Sequence, residues 1–236
     1  VFALHAMLTA SFRVVPGLLH DTVNVPVNNQ WMIYLPVLVV SVAVMVPAIV
    51  AAEKFRHMKG VFVSSVTALV VSQAMLYFGA GNLYVLLAAI TIFFSAFNVM
   101  EATLPSLITK AAPPDAKGTA TGLYSSLQFL GIFVGGLIGG WAHQAGGIAA
   151  VFALTTIVAL LWLAAAATMR QPSYLTTRLL PIGNRNASDA AGLAARLRKV
   201  PGVAEAVVIA DENLAYLKVD SKSFDVAMAE ALAGAR

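Results

Sequence analysis

The chemistry open to this sequence sits in a few polar side chains set within long apolar runs. Glu101 lies in the run Phe97-Asn98-Val99-Met100-Glu101-Ala102-Thr103-Leu104-Pro105. Asn98, Glu101 and Pro105 follow at i, i+3 and i+7, the spacing of one helical face. If the run crosses a bilayer, that face must look into protein or a water-filled cavity, because an ionisable group at the centre costs about 2.5–3.5 kcal/mol on insertion scales. Desolvation disfavours the charged form of a carboxyl, which suits an acid so placed to carry a proton. The alternative use is structural, as a carboxylate bonded to a neighbouring helix or to backbone. His5 and Arg13 lie about two turns apart and share a broad face of the first apolar run. An imidazole can exchange a proton near neutrality, although a lone His is more often a packing residue. Arg13 can supply a counter-charge to Glu101 or to an anionic substrate, or it can snorkel outward to the membrane surface. Tyr124 and Gln128 form an i, i+4 pair able to hydrogen-bond across helices.

No hydrolase or phosphate-binding signature accompanies these residues. His-Glu-x-x-His, Gly-x-Ser-x-Gly and the phosphate loop are all missing. The sequence has no cysteine, so it offers no disulfide framework and no thiolate metal site. The expectation is neither an enzyme nor a cofactor- or metal-binding protein.

The elements that must position the polar residues follow from length and hydropathy. The 236 residues are 59% hydrophobic and 11% charged, with a mean hydropathy of +0.82, whereas soluble domains carry about 25% charged residues. Six segments are long enough to cross a hydrocarbon core, which takes about 20 residues: 1–19, 31–52, 61–78, 83–108, 118–143 and 148–169. In lipid each must satisfy its own backbone, so each is expected to be helical. The connections between the spans are short, and the polar groups named above fall in the first, fourth and fifth.

Loop charges orient the bundle. Lys54, Arg56 and Lys59 follow the second span, Lys110 and Lys117 the fourth, and Arg170 and Arg178 the sixth, while the other three connections hold no Lys or Arg. The positive-inside rule then predicts that both termini are cytoplasmic. Glu53, Lys54, Arg56 and Lys59 form an acid-then-bases loop that either ties helix ends together or is simply solvated. Gly118, Gly122, Gly131, Gly135 and Gly139 fall on four-residue stripes of the fifth span, where another helix backbone can approach closely. The chain opens at Val1 inside an apolar segment with no charged leader. It is therefore expected to be a piece of something longer rather than to start with a signal peptide.

Residues 1–169 hold six Lys/Arg and four Asp/Glu, and residues 170–236 hold nine and seven. This shift marks a small soluble domain after the bundle. Pro172 breaks the last span, and a strand is predicted over 174–180. A helix capped by Ser188 runs to about Val200, with Leu193 and Leu197 inward. A hairpin over 203–210 and 214–220 turns at Asp211-Glu212-Asn213, and a last helix over 223–233 turns Phe224, Met228 (or Ala227) and Leu232 inward. The domain reading is thus a six-helix all-α membrane bundle over 1–169, a linker with the first strand over 170–180, and a small α+β ferredoxin-like domain, βαββα in all, completed over 181–236. The net charge of +4 is scattered over loops and a mixed-sign tail, which points to no nucleic-acid partner.

Phe97–Leu107 and the stretch Ala116-Lys117-Gly118-Thr119-Ala120-Thr121-Gly122-Leu123-Tyr124-Ser125-Ser126-Leu127-Gln128-Phe129-Leu130-Gly131 resemble the tenth and eleventh helices of the YajR-type major facilitator transporters. The tail, with Val203–Ile209 and Ala215-Tyr216-Leu217-Lys218-Val219-Asp220-Ser221-Lys222, resembles their soluble domain. The resemblance implies half of a twelve-helix secondary transporter in a bacterial inner membrane. It implies proton-driven efflux of a small molecule by alternating access, with the amino-terminal transporter half as missing partner and membrane lipid as surroundings. It would place the first and fourth spans along the central cavity, and it makes the 53–59 loop a second copy of a cytoplasmic gating loop. Arg13 matches no motif of the family. A reading from a different class is a membrane-anchored binding or regulatory protein whose tail carries the function, and a third is a homodimeric half-transporter.

Overall fold

The computed structural model describes residues 1–113, 116–169, 175–182, 187–220 and 223–234, with the side chains of residues 187 and 188 set aside. Arg170, Pro172 and Tyr174, and the capping side chain expected at Ser188, lie outside the described residues. The chain forms two compact units: Val1–Ala111 with Gly118–Pro172, and Ala112–Lys117 with Ser173–Arg236.

The first unit holds α1 (Phe2–Asp21), α2 (Trp31–Glu53), α3 (Met58–Phe78), α4 (Leu83–Ala111) and α5 (Lys117–Ala167). All five are long and apolar enough to cross a membrane. Helix α5 runs for 51 residues but leaves helical geometry at Gly146 and Gly147, where φ reaches +68° at the second glycine. A side chain disfavours that left-handed backbone and glycine does not. The break divides α5 into helical segments 117–145 and 148–167, against the two spans expected at 118–143 and 148–169.

Burial follows α1, α3, α4 and the second part of α5. One cluster gathers Val15, Leu18, Leu19, Leu76, Ile90 and Phe152. A second gathers Leu4, Met7, Leu69, Phe93, Met100 and Ala159. Exposed apolar side chains concentrate on α2, as Val39 and Val46, and on the first part of α5, as Phe129, Phe133 and Trp141. On a water-soluble protein such faces would be a liability, whereas lipid or another apolar helix can cover them.

The second unit orders β1 (Thr176–Pro181), α6 (Ala187–Leu197), β2 (Val203–Ile209), β3 (Leu214–Val219) and α7 (Val226–Ala233). The antiparallel sheet has the order β1-β3-β2. Between β2 and β3 a short 3-10 turn ends at Asn213, whose φ of 53° is left-handed, a conformation Asn tolerates better than most residues. Leu193 and Leu197 of α6 are fully buried with Leu217 and Val219. The inward face expected for the last helix is corrected. Ala229 and Ala233 are buried, Phe224 and Leu232 are partly so, and both Met228 and Ala227 are exposed. The helix starts at Val226 rather than 223, because Asp225 caps it by accepting the Met228 N–H. Lys218 is buried in this unit. Its ammonium donates to the Ala112 carbonyl at 2.8 Å and pairs with Glu205 Oε2 at 3.2 Å.

Candidate functional site

Three helices of the first unit bring polar side chains together. His5 comes from α1, Glu101 from α4, and Tyr124 and Gln128 from the first part of α5. The imidazole is 4% exposed and its Nε2 lies 3.5 Å from Glu101 Oε1. The Gln128 amide donates to the same Nε2 at 3.0 Å, and Nδ1 donates to the Val1 carbonyl at 3.2 Å. Those two bonds assign a neutral ring with its proton on Nδ1. The Phe97 ring meets the imidazole edge-on, 5.5 Å between centroids.

One consequence is chemical. With Nε2 already accepting from Gln128, it has no hydrogen to give the carboxylate. Glu101 Oε1 and the Tyr124 hydroxyl are buried atoms with no well-formed hydrogen bond among the described residues, yet the hydroxyl lies close enough to the carboxylate to donate to it. A buried polar atom left unpaired costs about 1–3 kcal/mol. A proton placed on Nε2 would turn that nitrogen into a donor toward Oε1 and end its acceptance from the Gln128 amide. Asn98 is half-buried one turn before Glu101 on the same face.

Arg13 does not join this cluster. It is exposed on α1 and lines a separate cleft of about 310 Å³ with Gly17, Asp21 and His143. Eight residues separate it from His5, which is about 12 Å along the helix, so the group beside Glu101 is His5 and not Arg13. That corrects the counter-charge role considered for Arg13 toward Glu101.

The glycine stripe is shorter than the spacing suggested. A Cβ added at Gly131 would lie 2.4 Å from the Phe2 carbonyl oxygen, at Gly135 2.3 Å from that of Ala6, and at Gly139 2.7 Å from Ala10 Cα. These three glycines let α5 run parallel to α1 at close range. Gly118 and Gly122 are exposed with open space around them among the described residues.

At the end of α2, Glu53 accepts from Ser106 Oγ at 2.7 Å and pairs with the Lys110 ammonium of α4. The acid of the loop therefore ties α2 to α4, while Lys54 is exposed and Arg56 turns the chain at a φ of 60°; Lys59 is half-buried in the first turn of α3.

A further polar node was missed from the sequence. Gln73 of α3 is fully buried, and its Oε1 accepts from Ser11 of α1 at 3.1 Å and from Thr155 of α5 at 2.8 Å. The signal was available in Ser72-Gln73, two polar residues in mid-run, where interhelical bonding is the usual reason for a polar side chain.

A bundle of long apolar helices, carrying a His–Glu–Gln cluster around a buried imidazole and exposing apolar faces, is an integral membrane protein. The Major Facilitator Superfamily profile matches residues 1–203, and the chain belongs to that superfamily of membrane transporters. It is 38% identical over 222 residues to the inner membrane transport protein YajR of Escherichia coli (strain K12), covering 94% of this chain and 48% of the relative. It is also 27% identical over 135 residues to the uncharacterized transporter BU466 of Buchnera aphidicola subsp. Acyrthosiphon pisum, covering 57% of this chain and 34% of that protein. An uncharacterized transporter of Buchnera aphidicola subsp. Baizongia pistaciae is 29% identical over 164 residues, 69% and 41% of the two lengths. The chain thus spans about half or less of the curated relatives it matches.

Proposed function

We propose that this chain is the carboxy-terminal half of a proton-coupled secondary transporter, and that the His5–Glu101–Gln128–Tyr124 cluster is its proton-binding site. The reading is supported above all by the 3.5 Å approach of His5 Nε2 to Glu101 Oε1, with the Tyr124 hydroxyl beside the same carboxylate. The contact makes one imidazole nitrogen choose between an amide on α5 and a carboxylate on α4. Proton arrival at Nε2 strengthens the link of α1 to α4 and weakens its link to α5. Proton departure does the reverse. Alternating access needs that kind of bistable contact between helices.

The whole transporter, on this reading, sits in a bacterial inner membrane with both termini cytoplasmic, exports a small molecule, and needs the amino-terminal half to close its cavity. The tail over 175–234 is a ferredoxin-like domain carried on the cytoplasmic side.

The site is tested by infrared difference spectra of the chain in lipid vesicles, titrated between about pH 4 and 9, a range that spans free carboxyl and imidazole groups. A protonated-carboxyl band that disappears in Glu101→Gln, and changes in His5→Gln, is the expected result. A band untouched by both substitutions removes the proton site. The transport reading is tested separately by dye-reported proton movement in vesicles holding this chain with the amino-terminal half of the E. coli relative. Movement that needs both halves is expected, and none with both halves inserted and folded counts against it.

A further inference from the structure

We infer that the cleft of about 310 Å³ between α1 and α5 binds the carboxylate or phosphate of a small organic acid, with Arg13 as its cation. The inference names a substrate class and so rests on the transporter reading above. Arg13 stands 11 residues from Phe2 and eight from Asp21, the two ends of α1, which is about 17 Å and 12 Å of helix. An arginine at that depth is costly in lipid and faces protein or a water-filled cavity. It lies against α5, since a Cβ added at Gly140 would stand 3.9 Å from Arg13 Nε. Among the described residues, the ion pairs of the first unit are His5–Glu101, His20–Asp21 and Glu53–Lys110, and none includes Arg13.

The cleft opens where the close seam between α1 and α5 ends. Gly131, Gly135 and Gly139 bring α5 against Phe2, Ala6 and Ala10 of α1. Four residues further along each helix stand His143 and Val14, and both line the cleft. An imidazole at the next position of the glycine stripe holds the helices apart. Gly17 on α1 and Gly140 on α5 leave room beside the arginine. Val14 and Ile148 add apolar wall, which suits an acid group carried on a small hydrocarbon body.

Charge selects the ligand. Arg13, Asp21 and His143 are the titratable side chains that line the cleft. The Asp21 carboxylate is engaged by His20 of its own helix at 2.7 Å, which leaves the guanidinium fork of Arg13 for a ligand. That fork matches the two oxygens of a carboxylate or phosphate with two parallel bonds. A neutral imidazole at His143 keeps one N–H to give to the same anion. A cation would be repelled by Arg13, and an uncharged ligand would leave it unpaired. The cleft lies about 12 Å along α1 from His5, so a bound anion and the proposed proton occupy separate places on one broad face of the helix.

The test is magnetic resonance of the full chain in phosphatidylcholine nanodiscs near neutral pH, with nitrogen-15 in arginine and histidine. Sodium benzoate and phenyl phosphate are titrated in, with sodium chloride and benzyl alcohol as controls for charge and for the ring. Arg13→Gln and His143→Gln assign the two signals. Saturable shifts of Arg13 Nε and of His143 are expected with either anion and with neither control. Read at His143, Arg13→Gln should weaken binding about tenfold or more, the loss of a hydrogen bond to a charged group. Arg13→Lys should restore part of it, because the charge returns without the fork. Asp21→Asn removes a like charge from the cleft and should tighten binding about twofold. Shifts with both anions no larger than those with sodium chloride overturn the proposal, and so does binding that survives Arg13→Gln. Phosphatidylglycerol nanodiscs in which Arg13 is already displaced and benzoate no longer binds would assign the site to a lipid headgroup and overturn it too. Loss of benzoate binding when the amino-terminal half of the E. coli relative is joined would do the same, by showing an ion pair between halves. Proton movement is measured without either anion, so the transporter reading and this site fail separately.

Discussion

Gly135→Ala should destabilise the bundle, while the same substitution at Gly122 should not. At position 135 the new methyl would stand 2.3 Å from the Ala6 oxygen and 2.5 Å from Ala6 Cα, both backbone atoms that no rotamer can move. Ordinary contact begins near 3.4 Å, so α1 must retreat by about 1 Å or distort. Overpacking of that kind costs about 1–3 kcal/mol. At position 122 nothing lies within 4 Å, and the substitution adds only the helix preference of Ala over Gly, about 0.8–1 kcal/mol. That preference is common to both positions and cancels in the comparison. The expected difference between the two variants is therefore about 1–3 kcal/mol, with Gly135→Ala the weaker. Mixed-micelle denaturant titration followed by helical circular dichroism measures it. Equal unfolding free energies, within about 0.3 kcal/mol, would refute the account of the stripe.

Three other expectations follow from named contacts. The Glu53–Lys110 pair has side chains 35% and 20% exposed, so a double-mutant cycle with Glu53→Gln and Lys110→Met should give a coupling of about 0.5–1 kcal/mol that shrinks in salt. A coupling that ignores salt would contradict the assignment. Ser11→Ala removes the hydroxyl that donates to Gln73 Oε1 at 3.1 Å and should cost about 0.6 kcal/mol, the mean for one interhelical bond. The same titration measures it, and an unchanged unfolding free energy would show that the Ser11–Gln73 bond does not hold α1 to α3. Asp225→Ala removes the cap that accepts the Met228 N–H at 3.0 Å and should speed amide exchange over α7 about fivefold, for a loss of about 1 kcal/mol. Unchanged exchange would mean that the helix start is held by other contacts.

Helix positions were legible because hydropathy and the lipid requirement act on each segment alone. Trp31, Phe78 and Leu83 mark both the expected span limits and the observed helix ends. What periodicity cannot supply is the neighbour across a face. Glu101 was singled out by its burial cost, but nothing in a one-dimensional pattern states that His5, 96 positions earlier, meets it rather than Arg13. The two residues of α1 share a broad face, and only the axial offset between them, about 12 Å, decides which one reaches α4. The four-residue spacing of Gly118 and Gly122 continues the pattern, yet close packing also needs a facing backbone, and within this chain that begins opposite Gly131. In the tail, the error at Met228 came from side-chain size. Ala229 and Ala233, one position on from the expected Met228, meet the core; alanine is too weakly apolar for periodicity to single it out.

The stripe and the polar cluster are not independent, because Ala6 stands next to His5. If Gly135→Ala drives the α1 backbone back by about 1 Å at Ala6, His5 must move with it. Its 3.0 Å bond from the Gln128 amide then approaches or passes the 3.5 Å limit beyond which such a bond is lost. Nitrogen-15 magnetic resonance of labelled histidine distinguishes a bonded Nε2 from an unbonded one, and His5→Gln assigns the His5 signal among the four histidines. The expected result is a displaced His5 Nε2 resonance in Gly135→Ala and an unchanged one in Gly122→Ala. A Gly135→Ala chain that is destabilised but keeps the original His5 signal would mean that α1 bends locally to take the methyl. In that case the glycine stripe sets helix packing without setting the distance across which the imidazole chooses between α4 and α5.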